Sequence, residues 1–143
     1  MSPVDRDVVK RKLAVIAGNL EALKRISGLR RDEYAKDVFL KKGTERLIQE
    51  LIEAAIDVNT HLIVELGGTA PDTYFDTFLQ LGALRVVPDD LARSLAPSAG
   101  LRNRLVHEYD IIDDALVLAS VDDAAKLYAE YVRIIMDFID RQP

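Results

Sequence analysis

Residues 44–66, TERLIQELIEAAIDVNTHLIVEL, decide the fold class. Leu47, Leu51, Ala55, Val58, Leu62 and Leu66 recur at spacings of four and three, the period of one face of an α-helix. A second row, Ile48, Ile52, Ile56, Asn59 and Ile63, widens that face. A helix this broad in its apolar face needs cover on more than one side. Gly67-Gly68 supplies its stop.

The same period continues on both sides. Upstream, Val9, Leu13, Ile16, Leu20 and Leu23 form one stripe. Ser2-Pro3 predicts its start, serine as cap and proline at the first helical position, and Ser27-Gly28 its end. A short segment over residues 32–40 is expected to stop at Lys41-Lys42-Gly43. Downstream, residues 71–84 read as a helix, and Pro88 opens another at Asp89-Asp90. Pro97 should kink or split that helix, which resumes over residues 98–108. Residues 109–118 read as irregular. Ser120 is then expected to cap a last helix, with Asp122 and Asp123 in its first turn. Its stripe is Val121, Ala125, Tyr128, Val132, Ile135 and Ile139. Three long helices and a proline-broken fourth predict an all-α, up-and-down antiparallel helical bundle with short extra helices, one domain over residues 1–143.

Composition bounds the chemistry. The 143 residues include no cysteine, which excludes disulfides, thiolate metal sites and a thiol nucleophile. With two histidines, no metal site and no cofactor are expected. The first residues lack the apolar core of a signal peptide, and no run has the length of a membrane span, so a soluble, cytoplasmic protein is expected. The net charge of −5 is unevenly spread: +4 over residues 1–50 and −9 over residues 51–143. Residues 91–105 nevertheless hold Arg93, Arg102 and Arg104 and no acid, a local basic patch suited to phosphates.

Serine-hydrolase, zinc-protease and phosphate-loop motifs are absent from the sequence. Asp113-Asp114 and Asp122-Asp123 suit turn and first-turn positions better than a metal, and mid-helix His61, between Asp57 and Glu65, suits a structural role. One segment stands apart: Leu101-Arg102-Asn103-Arg104-Leu105-Val106-His107-Glu108-Tyr109-Asp110. It places His107 at a helix C-terminus, where the dipole favours imidazolium. Asn103 lies one turn before it on the same face. Arg102 is five residues before it, about 7.5 Å along the axis. RNA carries its own nucleophile, the 2′-hydroxyl, so cleavage needs a proton-transfer group near neutral pKa and a cation for the transition state. Histidine and arginine are those groups, and Asn103 can orient His107 or bind phosphate. Spacing alone also fits a solvated helix end.

Arg102 to Tyr109 reads as R-x4-H-x-Y and resembles the signature of HepT-like toxins of the HEPN superfamily. Tyr74-Phe75, Leu81-Gly82, Pro88, Leu91-Ala92 and Leu95 upstream, and Tyr109 to Asp113 downstream, look like the same family's flanks. The resemblance implies a helical bundle that acts as a homodimer, with both motifs lining one RNA-cleaving cleft. It implies a metal-independent endoribonuclease toxin of a type II toxin–antitoxin pair. The implied partner is an MntA-type minimal nucleotidyltransferase antitoxin that silences the toxin by AMPylation of the motif tyrosine. Arg102, His107 and Asn103 are then the expected catalytic residues, Arg104 and Arg93 the substrate-binding ones, and Tyr109 the AMP acceptor. The competing readings are a non-catalytic helical module that partners a nucleotidyltransferase, and a purely structural helical oligomer.

Overall fold

A computed structural model describes residues 4–107 and 112–143. These residues contain seven helices and no strand: α1 (Arg6–Leu23), α2 (Arg31–Lys36), α3 (Val38–Glu65), α4 (Tyr74–Ala83), α5 (Asp89–Leu95), α6 (Ser98–His107) and α7 (Asp114–Asp140).

Cross-links fix their directions. On α1 and α3, the Asp5 amide donates to His61 Nε2, Lys12 pairs with Asp57, and Asn19 donates to the Leu47 carbonyl and to Glu50. Rising numbers on α1 meet falling numbers on α3, so the two run antiparallel. The same logic sets α1 against α7: Arg6 Nε reaches the Ile139 carbonyl at one end, and Ser27 the Asp122 carboxylate at the other. α4 and α6 close over α3, and α5 packs on α4 and α7. The expected up-and-down all-α bundle is the observed architecture.

The core is built from the stripes read in the sequence. Val9, Leu13, Ile16 and Leu23 of α1, and Leu51, Ala55, Val58 and Leu62 of α3, are buried, as is the whole second row from Ile48 to Ile63. Asn59 sits in that row fully buried because its polar atoms are satisfied. Its amide donates to Thr77 Oγ1 at 3.2 Å, and its carbonyl accepts from the Tyr131 hydroxyl at 2.6 Å. Thr77 Oγ1 donates in turn to the Tyr74 carbonyl. One polar chain therefore ties α7, α3 and the first turn of α4. His61, bonded to the backbone of the α1 cap, is structural as expected.

Several boundaries differ from expectation; three of the differences trace to an aspartate cap and one to a threonine. The cap of α1 is Asp5, whose carboxylate accepts from the Asp7 and Val8 amides; Ser2 and Pro3 lie outside the described residues. The break before α3 falls at Asp37, not at Lys41-Lys42-Gly43. Asp37 leaves the helical region (φ −106°, ψ 101°) and caps α3 through the Leu40 amide. Gly43 is helical inside α3, a cost of about 1 kcal/mol relative to alanine that a long packed helix absorbs. α4 begins at Tyr74 behind a Thr73 cap rather than at Pro71. The last helix starts at Asp114, capped by Asp113 through the Ala115 amide, so residues 114–118 are helical rather than irregular. Ser120 does not cap it; its hydroxyl donates back to the Leu116 carbonyl within the helix. The buried stripe of α7 correspondingly runs Val117, Val121, Ala124, Tyr128, Tyr131, Ile135, Ile139, leaving Ala125 exposed and Val132 half-buried.

The glycine stop of α3 is as read. The Gly68 amide bonds the Ile63 carbonyl and the Gly67 amide that of Val64, with Gly67 at φ +92°. Gly82 answers a different need. A Cβ there would lie 2.9 Å from Ala92 Cβ, so glycine lets α4 and α5 approach. No helix among the described residues is long and apolar enough to cross a membrane.

Candidate functional site

The R-x4-H segment lies on α6, which begins after the break at Pro97 and ends at His107. Leu105 and Ala99 bury one side of this helix against the core, while Asn103, Arg104 and His107 are exposed. The orientation is anchored near its start by a 2.6 Å hydrogen bond between the Ser98 and Tyr128 hydroxyls.

Arg102 behaves differently from its neighbours. Its side chain is only 17% exposed and reaches across to α3, where Nη2 donates to Glu53 Oε2 at 3.0 Å. Nη1 donates to Asn103 Oδ1 at 3.1 Å, and the guanidinium carbon stands 5.1 Å from the centre of the Tyr74 ring, a cation–π distance. Glu53 is itself oriented by the Gln49 amide, which donates to its other oxygen at 3.1 Å. Three elements thus meet on one cation: α6 supplies the arginine, α3 the carboxylate, and α4 the aromatic face. Arg102 Nε is buried and has no acceptor among the described residues.

The structure joins some of the expected residues and separates others. Arg102 and Asn103 are bonded, so the partner given to Asn103 is the arginine rather than His107. His107 is the last residue of α6, in the turn that also holds Arg104, at the negative end of the helix dipole. Arg93 is on α5 and pairs with Asp89 one turn earlier on the same helix. Tyr109 and Glu108 lie outside the described residues. Glu53 and Tyr74 are the site residues that sequence reading missed. Both sit within readable helices, but nothing in their spacing signals a contact with a residue 49 positions away in one case. Among the described residues no three His, Asp or Glu side chains gather as metal ligands would.

Chemically, α6 carries a restrained guanidinium at Arg102 and, five residues on, an exposed imidazole at His107. Such a pair suits a phosphodiester: arginine holds non-bridging oxygens and histidine moves a proton.

Comparison with known proteins places the chain in a family. The family model for HepT-like ribonucleases matches residues 3–135. The tRNA nuclease HepT of Aphanizomenon flos-aquae is 36% identical over 139 residues, covering 97% of this chain and 95% of that protein. The mRNA nuclease HepT of Shewanella oneidensis is 22% identical over 129 residues, covering 90% and 96%. Among solved structures, the tri-AMPylated Shewanella oneidensis HEPN toxin in complex with MNT antitoxin superposes with a TM-score of 0.83 at 22% identity, covering 93% of this chain and 99% of that one. That likeness extends the shared fold over nearly the whole chain. With a family model spanning almost its full length and a relative above one-third identity, this chain belongs to the HepT-like ribonuclease family.

Proposed function

We propose that this chain is the ribonuclease toxin of a type II toxin–antitoxin pair, a metal-independent endoribonuclease acting in the cytoplasm. The observation that carries the reading is the exposed His107 at the end of the helix on which Arg102 is held. Arg102 binds the scissile phosphate and offsets charge as it develops, while His107 exchanges the proton of the 2′-hydroxyl or of the leaving 5′-oxygen. Asn103, bonded to Arg102, keeps the guanidinium in register and lends an amide donor to the phosphate. Arg104 adds positive charge along the RNA path. Arg93 joins that path by exchanging its exposed pair with Asp89, which costs little. The 36% identical relative makes tRNA the first substrate class to test.

One histidine must serve two proton transfers. A homodimer of this domain, residues 1–143, places two motifs at one cleft and supplies the second. An MntA-type nucleotidyltransferase is the proposed antitoxin, and Tyr109, the tyrosine of the motif, the proposed acceptor of AMP. Added phosphate beside His107 would repel an anionic substrate. The named tri-AMPylated relative supports this regulation.

The test is direct. Purified protein should cut tRNA in EDTA and leave 2′,3′-cyclic phosphate ends, and His107→Ala should abolish the cut. Full activity in His107→Ala, or ends without a cyclic phosphate, refutes the assignment.

A further inference from the structure

Arg102 is not a free surface cation, and the groups that restrain it come from outside its motif. We propose that Glu53 and Tyr74 are positioning residues that fix the Arg102 guanidinium for catalysis. This rests on the ribonuclease reading above and adds two residues, on two other helices, to its site.

A flexible arginine has four side-chain torsions to order before it can meet a phosphate, and that ordering is charged against the transition state if it happens during reaction. Here it is done in advance. The Glu53 bond at 3.0 Å fixes the Nη2 corner, the Asn103 bond fixes the Nη1 corner, and the Tyr74 ring at 5.1 Å limits tilt out of plane. Two corners and a face define a plane completely. The Gln49 bond to the second Glu53 oxygen stops the carboxylate from turning with its cargo. Each Nη carries two hydrogens, so one on each is left for further acceptors after Glu53 and Asn103 are served.

Tyr74 is braced by the core. Its backbone carbonyl accepts from Thr77 Oγ1 at 2.7 Å, which accepts from buried Asn59, which accepts from Tyr131. The aromatic face under Arg102 thus stands at the end of a polar chain through three helices. Glu53 sits on α3, which contributes more buried residues than any other helix among the described residues. The clamp is built on rigid elements, as precise positioning requires.

The role predicts a kinetic split. Loosening the guanidinium removes order needed in the transition state while leaving its charge for binding, so kcat should fall and KM change little. Glu53→Ala should lower kcat by about 10- to 100-fold, with KM within roughly threefold of the parent, since small misplacement costs that much. Glu53→Gln keeps an oxygen to accept from Nη2 and should recover most of the loss. Tyr74→Leu, which removes the aromatic face under the guanidinium, should lower kcat about tenfold.

A readout independent of RNA separates failure of this proposal from failure of the ribonuclease reading. Side-chain NMR of the intact protein should show the Arg102 Nη hydrogens as distinct, slowly rotating resonances. They should coalesce in Glu53→Ala and separate again in Glu53→Gln. If the parent protein cuts no RNA, the ribonuclease reading fails whatever the resonances do. The positioning role is overturned if Glu53→Ala or Tyr74→Leu retains its parent kcat, if Glu53→Gln is as impaired as Glu53→Ala, or if the resonances are averaged in the parent.

Discussion

Replacing Arg102 by alanine tests how the site is built as well as what it does. A helix-surface arginine would contribute little to stability, and sequence reading alone predicts a silent change in folding. The structure alters that expectation, because the side chain is 17% exposed and its partner Glu53 35%. Exposed pairs are worth about 0.2–1 kcal/mol, and breaking fully buried ones costs about 3–5 kcal/mol. Glu53 can be resolvated in part once the arginine is gone, which places its loss near the lower range, about 1 kcal/mol. Contact with the Tyr74 ring adds about 0.5–1 kcal/mol. Removing a buried Nε that lacks an acceptor among the described residues offsets some of this. The net expectation is about 1–2 kcal/mol, a fall in Tm of roughly 2–8 °C for a chain of this size. Urea unfolding of Arg102→Ala, Glu53→Ala and the double variant measures the coupling, which should be at least about 0.5 kcal/mol. Additive losses, or a single-variant loss below about 0.3 kcal/mol, would refute the ion-pair argument. Arg102→Ala should also lose RNA cleavage.

Other outcomes follow from the same packing. Tyr131→Phe removes the donor to Asn59 in a buried chain, and should cost about 1–3 kcal/mol by urea titration; a loss below about 0.5 kcal/mol would mean that the network is not maintained. Asp113→Ala deletes the cap of α7 and should cost about 1 kcal/mol, whereas Ser120→Ala should not show a cap's loss. Burial raises the phenols of Tyr34, Tyr128 and Tyr131 above the ordinary value of 10.0. Their protonated forms are favoured in the fold, so this stability is complete below about pH 10 and declines as the unfolded chain begins to ionise. Alkaline titration followed by phenolate absorbance should show these three ionising with unfolding, not before it. Tyr109→Phe should block AMP addition in protein co-expressed with a cognate nucleotidyltransferase, read as loss of mass steps of AMP; unchanged labelling would move the acceptor elsewhere.

The all-α class, the core of α1 and α3, the stop at Gly67-Gly68 and the R-x4-H segment were legible in the chain order of residues. Each depends on neighbours three to five positions apart, and a helix expresses that spacing directly. Boundaries were less legible because Ser2, Ser120 and the Lys41–Gly43 run are acceptable punctuation in isolation. Asp5, Asp37 and Asp113 capture the amides instead. In α7 the choice of Tyr131 over Val132 also lay beyond local pattern. A tyrosine enters a core where its hydroxyl finds a partner, and that partner, Asn59, is 72 residues away.

Charge makes the division sharpest. Residues 91–105 contain three arginines and no acid, and by order alone they form a basic patch. Tertiary structure brings Glu53 onto Arg102, while Asp89, just outside the segment, folds back onto Arg93 one helical turn away. Sequence by itself determined which groups are available for phosphate chemistry, because their identity and helical spacing are local. Only the fold decided that one of them is a clamped cation rather than a solvated one, because Coulomb attraction and ring contact act through space between helices that chain order keeps far apart.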